Sequence, residues 1–86
     1  MVTIELYGVC RLRAGVGKVA VHAATLSDAL DGLSLACPSL DGPVVTRGRV
    51  HPAFRLSLNG ERFVSDPETP LAAGDVLLLL SADVGG

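Results

Sequence analysis

Apolar and polar residues alternate in Val2-Thr3-Ile4-Glu5-Leu6-Tyr7, and a period of two marks a strand with one buried face. Val2, Ile4 and Leu6 take the inner side. The alternation resumes in Lys18-Val19-Ala20-Val21-His22, with Val19 and Val21 inward. The three glycines and two arginines of residues 8–17 are therefore expected to form the loop of a hairpin. From Thr25 the period changes, and Leu26, Ala29, Leu30, Leu33 and Cys37 recur along one helical stripe. The Thr25 hydroxyl suits a cap, and Asp28 favours the positive end of a helix. Gly32 weakens that helix by about 1 kcal/mol relative to Ala, and Pro38 disfavours helical geometry at Cys37, where the helix should stop.

Residues 39–53 contain Pro43, Pro52, Gly42 and Gly48 and hold no sustained period. They read as a long crossover loop with a short extended piece at Val44-Val45-Thr46. Phe54-Arg55-Leu56-Ser57-Leu58 alternates again, and Asn59-Gly60 follows at once, a strong hairpin signal because both residues tolerate positive φ. Phe63-Val64 makes a brief return strand. After turns around Asp66-Pro67 and Gly74-Asp75 come Val76-Leu77-Leu78-Leu79-Leu80, consecutive apolar residues expected to form a strand buried on both faces in the middle of a sheet. The first and last strands, the most apolar, should pair side by side. The whole is α+β, a β-grasp (ubiquitin-like) arrangement: a mixed four- to five-stranded sheet with one main helix on one face. Residues 1–81 form this domain, and residues 82–86 a flexible C-terminal tail ending in Gly85-Gly86.

With 86 residues the chain makes one small domain. A hydrophobic content of 49% and a mean hydropathy of +0.48 are high for that size, so some apolar area should stay exposed and mark a partner site. The formal charge is −2 with seven Lys+Arg, which gives a nucleic-acid role little support. Cys10 and Cys37 are too few and too far apart for a zinc or iron–sulfur framework. They read as two reduced thiols with at least one buried, a disulfide or a catalytic thiol being the alternatives. His22 reads as a solvated side chain rather than a ligand. No metal site and no bound cofactor are expected. Neither a charged-then-apolar leader nor a transmembrane run is present, so no membrane role is expected and the simplest location is cytoplasmic.

Several stretches together resemble the ubiquitin-like sulfur-carrier family, which comprises the small subunit of molybdopterin synthase and the thiamine-pathway sulfur carrier. They are the opening strand 2–6, Leu12-Arg13 and Gly15, Thr25-Leu26-Ser27-Asp28-Ala29-Leu30, Leu58-Asn59-Gly60-Glu61, Leu71-Ala72-Ala73-Gly74-Asp75-Val76-Leu77 and the terminal Gly85-Gly86. A Gly-Gly ending arises by chance in roughly 0.5% of chains at a glycine usage of about 7%. The resemblance implies that the carboxylate of Gly86 is adenylated by an ATP-using activating enzyme and converted to a thiocarboxylate, whose sulfur passes to a sulfurtransferase or a sulfur-accepting synthase. It also implies, counting back from the two glycines, that Leu77 and Leu79 point into the core while Leu78 and Leu80 point outward. Leu78, Leu80, Asp83, Val84 and Gly85 would then meet the partners. Glycines suit such a tail because, lacking Cβ, they pass a narrow channel and leave the reacting carbonyl unhindered.

Two features depart from the family's pattern. Leu80-Ser81-Ala82-Asp83-Val84 stands where molybdopterin-type tails carry prolines or an aromatic, and Asp83 adds a charge near the reacting end. Residues 39–53 make the chain longer than a thiamine carrier, which favours the molybdopterin-like or amino-acid-biosynthesis-like branches over thiamine, and natural-product pathways also recruit such carriers. Two other functions use the same features: a ubiquitin-like modifier joined through Gly86 to lysines of other proteins, and a non-catalytic β-grasp interaction domain. The stretch 76–80 also leaves one choice open, since residues 39–53 could fold back over its outward leucines.

Overall fold

A computed structural model describes residues 1–82. The first strand, β1 (Val2–Leu6), buries Val2, Ile4 and Leu6 and leaves Thr3 and Glu5 half-buried, as the alternation requires. The expected hairpin loop is instead a short helix, α1 (Gly8–Ala14). Gly8 turns the chain out of β1 at φ 56°, and Gly15 closes the helix at φ 78°, its amide donating to the Arg11 carbonyl at 2.9 Å. These glycines bound a helix; they do not loosen a loop. The sequence signal is faint because the helix is so short: Cys10 alone is buried and Ala14, four residues on, partly so. The chain then returns along β2 (Lys18–Val21), antiparallel to β1.

The main helix, α2 (Leu26–Ala36), starts where the sequence indicates. The Thr25 hydroxyl accepts from the Asp28 amide at 3.2 Å, and Leu26, Ala29, Leu30 and Leu33 face the core. Gly32 has a packing reason: a Cβ there would meet Val21 Cγ1 at 3.0 Å, so the glycine lets α2 lie close on β2. Residues 39–53 are more ordered than a crossover loop. A 3₁₀ turn (Pro38–Leu40) leads to a small hairpin of β3 (Val45–Thr46) and β4 (Arg49–Val50), which forms its own two-stranded sheet. Arg47 and Gly48 make its turn at φ 52° and 71°. A Cβ on Gly48 would run into the Ser27 hydroxyl, which shows how tightly the hairpin sits on the start of α2. Leu40, Val44 and Val45 join the core.

The main sheet closes with β5 (Phe54–Leu58), β6 (Arg62–Val64) and β7 (Val76–Ser81), in the order β2-β1-β7-β5-β6. As expected, the first and last strands are central neighbours, running parallel with Ile4 opposite Leu77 and Leu6 opposite Leu79. The β5–β6 turn holds Asn59 and Gly60 at φ 56° and 70°. Asn59 does more than turn the chain. Its side-chain oxygen accepts from the Val76 amide at 2.8 Å, and its side-chain nitrogen donates to Asp75 Oδ1 at 3.1 Å. Asp75 Oδ2 accepts from the Ala72 amide at 2.8 Å, and the Asp75 carbonyl accepts from Thr3 N–H at 3.0 Å. One carboxylate thus ties the start of β7 to the β5–β6 turn.

The Ala72 amide, and after it the Asn59 side chain, hold the Asp75 carboxyl below its ordinary pKa. A depressed folded pKa contributes stability that is present above the unfolded value and lost as pH falls through the folded one. Acid titration of unfolding midpoints should therefore show an Asp75-dependent loss below about pH 4. Asp75→Asn should be less stable at pH 7 and lack that part of the acid-side slope. A variant that matches the parent's slope at every pH would show that the network carries no linkage.

Candidate functional site

Strand β7 is hydrogen-bonded to a strand on each side, β1 and β5, and its own side chains split by parity. Leu77 and Leu79 are 0% exposed, whereas Leu78 and Leu80 are half-buried on the opposite face. The expectation of burial on both faces is thus corrected: hydrogen-bonding partners flank the strand, but α2 covers only one of its faces. Residues 39–53 do not cover the other, because Leu40, Val44 and Val45 pack into the core that contains Leu77 and Leu79.

Register builds the outer face around those leucines. Lys18 is opposite Glu5, Glu5 opposite Leu78, Leu78 opposite Ser57 and Ser57 opposite Phe63, one row across all strands of the main sheet. In the next row Arg55 is opposite Leu80. Phe63 is 60% exposed, and the Arg55 guanidinium carbon lies 5.2 Å from its ring centroid, a cation–π contact that holds the arginine flat on the sheet. The other end of the row is polar. Tyr7 donates its hydroxyl proton to Glu5 Oε1 at 2.6 Å, and this carboxylate raises the tyrosine's pKa. The face is therefore apolar over β7 and β6 with cations beside it, and charged over β1 and β2. Phe63 and Arg55 were not singled out from the sequence. The signal was available, since the Asn59-Gly60 turn sets a register that brings Phe63 into the row of Leu78.

The end of β7 is fastened to β5 and to the residue before it. Ser81 is opposite Phe54, and the Ala82 amide donates to the Ala53 carbonyl at 2.7 Å. Two surface hollows flank this end of the strand. Arg55, Phe63, Leu80, Ser81 and Ala82 line one, and Val9, Ala53, Phe54, Ser81 and Ala82 the other. Of the residues expected to act, Leu78 and Leu80 lie together on the outer face, while Asp83, Val84, Gly85 and Gly86 fall outside the described residues. Cys10 and Cys37 are both free and both buried, and burial pushes each thiol up from its ordinary pKa. Such thiols stay protonated at neutral pH and react slowly. His22 is exposed. Among the described residues no group of three His, Cys, Asp or Glu could hold a metal ion, and no helix is long and apolar enough to cross a membrane.

No family model matches this chain, and no curated protein does. Solved structures do match. Small archaeal modifier protein 1 from Haloferax volcanii is 30% identical, with a TM-score of 0.81 over 99% of this chain and 98% of that one. The chain belongs to the ubiquitin-like sulfur-carrier family. The same β-grasp fold occurs at lower identity in a chain of the Amycolatopsis orientalis BexX/CysO complex, 22% identical with a TM-score of 0.81 over all of both chains. It also occurs in the complex of subunits 1 and 2 of molybdopterin-converting factor from Helicobacter pylori, 21% identical with a TM-score of 0.66 over 99% of this chain and 97% of that one. A sulfur-carrier or ubiquitin-like role follows from membership.

The parity of β7 makes a stability prediction for this family member. Leu77→Ala should cost about 2–5 kcal/mol by opening a cavity in the core. Leu80→Asp should cost less than about 1 kcal/mol, because the site is half-exposed and faces Arg55 across the strand pair. Leu78→Asp should fall between them, since it sets a second carboxylate opposite Glu5. Urea unfolding of the three variants checks the order, and a larger loss for Leu80→Asp than for Leu77→Ala would reverse the face assignment.

Proposed function

We propose that this chain is a sulfur carrier whose C-terminal Gly86 is adenylated and thiocarboxylated and then donates sulfur to a biosynthetic acceptor. The observation that carries the reading is the whole-chain agreement with a small archaeal modifier protein at 30% identity. The chain supplies the carboxylate and the partner enzyme supplies ATP and the catalytic groups. A carboxylate oxygen of Gly86 attacks the α-phosphorus of ATP, pyrophosphate leaves, and a sulfur nucleophile then displaces AMP from the acyl carbon. Leu78 and Leu80, with Phe63 and Arg55 beside them, form the surface on which the adenylating enzyme and the sulfur-accepting synthase dock. Asp83, Val84 and Gly85 enter the partner's channel. A molybdopterin-type acceptor is proposed ahead of a thiamine-type one on the length of residues 39–53.

A second reading has its own support. The relative at 30% identity is called a modifier protein, which favours conjugation of Gly86 to lysines of other proteins. Both readings need the same activated acyl group and part only at the acceptor, which is a sulfur-accepting molecule in one and an amine in the other.

Deleting Gly86 should abolish ATP–pyrophosphate exchange by the host's activating enzyme without changing the melting temperature. Thiocarboxylate-selective labelling of protein purified from the same host should mark the parent chain and not the deletion variant. Exchange at the parental rate by the deletion variant would sink the proposal. Lysine adducts without any thiocarboxylate would select the modifier reading. Leu80→Asp should weaken binding to the activating enzyme by about 2 kcal/mol or more, the loss expected when an anchor at the centre of an interface is removed.

A further inference from the structure

Asn59 carries the only side-chain amide in the chain, which holds no other Asn and no Gln. It stands directly before Gly60, and both are exposed at the β5–β6 turn. This pair is a good turn former and also a reactive one. The backbone nitrogen of Gly60 is one ring closure away from Asn59 Cγ, and glycine has no Cβ to hinder the approach. The space beside Gly60 is open, since a Cβ built there would meet nothing within 4 Å. The closing bond of the turn runs from Glu61 N–H to the Leu58 carbonyl at 3.0 Å and does not use Gly60 N–H.

We infer that Asn59 is a site of spontaneous deamidation, held off in the folded chain by its bonds to Val76 and Asp75. Asn59 Oδ1 accepts from Val76 N–H at 2.8 Å, and Nδ2 donates to Asp75 Oδ1 at 3.1 Å. Both atoms bonded to Cγ are thus held toward the start of β7, and the side chain must release them to swing over the Gly60 nitrogen. In the reaction that nitrogen gives its proton to solvent, attacks Asn59 Cγ and closes a five-membered succinimide. The Cγ–Nδ2 bond breaks, and Nδ2 takes a proton from water and leaves as ammonia. Water then opens the ring at Cγ to give Asp, or at the main-chain carbonyl carbon to give an isoaspartyl link. Water is the only co-reactant. Either product removes the donor that faces Asp75 and sets a second carboxylate beside it, and like charges so close oppose each other. The isoaspartyl link also lengthens a turn in which Asn59 and Gly60 both hold positive φ. Deamidation thus acts on the network that starts β7, and local opening of that network sets its rate.

The test incubates the full chain at mildly alkaline pH, folded in buffer and unfolded in guanidinium chloride, and follows its intact mass. With no second amide side chain to react, the mass gain reports Asn59 alone. Trypsin, cutting after Arg55 and Arg62, isolates residues 56–62 for separating the Asp and isoaspartyl forms. The unfolded parent should deamidate, and the folded parent should react more slowly by about tenfold or more. Folded Asp75→Ala should react about tenfold faster than the folded parent, the factor supplied by one hydrogen bond to a charged group. Asn59→Asp, which reproduces one product, should melt at a lower temperature than the parent at neutral pH. No mass gain in the unfolded parent overturns the site, and equal rates for the folded and unfolded parent overturn the protection. A parental rate in Asp75→Ala overturns the part given to Asp75, and a parental melting temperature in Asn59→Asp overturns the effect on β7. Were Asp75→Ala unfolded, the ratio of folded to unfolded rates in the parent would decide the matter.

Discussion

The parallel pairing of β1 with β7 is the contact on which the other elements depend. Thr3 to Leu6 lie opposite Val76 to Leu79, so residues 7–75 must fold between the two halves of one ladder. Closing so long a loop is entropically unfavourable, and the pairing persists because Ile4, Leu6, Leu77 and Leu79 meet in the core beneath α2. The arrangement also explains the composition of β7. A central strand has both its backbone edges occupied, by β1 on one side and β5 on the other. Only its side chains can face a partner, and Leu78 and Leu80 are those that do.

Position along the strand is controlled by the turn network at the other end. Asn59 grips the Val76 amide, Asp75 grips Asn59 and Ala72, and Thr3 closes onto the Asp75 carbonyl. A slip of one residue would exchange Leu77 and Leu79 for Leu78 and Leu80 in the core. Both sets are leucines, so hydrophobicity alone hardly distinguishes the two registers. Polar bonds at the start of β7, and the Ala82 to Ala53 bond at its end, make the distinction that apolar burial does not. The identical pairs of leucines thus acquire different roles from hydrogen bonds made outside them.

Legibility followed the length of each element. The period-two runs in β1, β2 and β5, the Thr25 cap of α2 and the Asn59-Gly60 turn could be read directly, because each spans several residues or uses a turn with its own chemistry. The helix α1 could not: with Gly8 and Gly15 at its ends and Cys10 and Ala14 as its only inward residues, it offers too little period to count. The β3–β4 hairpin was half-read for a related reason. Val44-Val45-Thr46 is apolar and β-branched, but β4 is only Arg49–Val50, and Arg47 adopts positive φ without being a usual turn former. On the candidate site, parity located Leu78 and Leu80, while Phe63 and Arg55 needed the register of three strands at once. The cation–π contact between them depends on geometry that no single run of residues encodes.

Charge placement bears on how a chain with these exposed side chains avoids sticking to itself. Leu12, Phe63 and Leu80 would be an aggregation hazard if they were continuous. Each has an ion beside it: Arg11 and Arg13 next to Leu12, Arg55 over Phe63 and across from Leu80, Glu5 across from Leu78. Covering any of these apolar groups removes water from the neighbouring ion as well, and an unpaired ion resists that. A flat apolar surface therefore gains little by landing here, and a second copy brings the same arginines to the contact. A surface that brings carboxylates to the right positions regains the lost solvation and the apolar area together. The ions thus set a condition on contact, so exposed leucines can serve selective docking without serving as general adhesive.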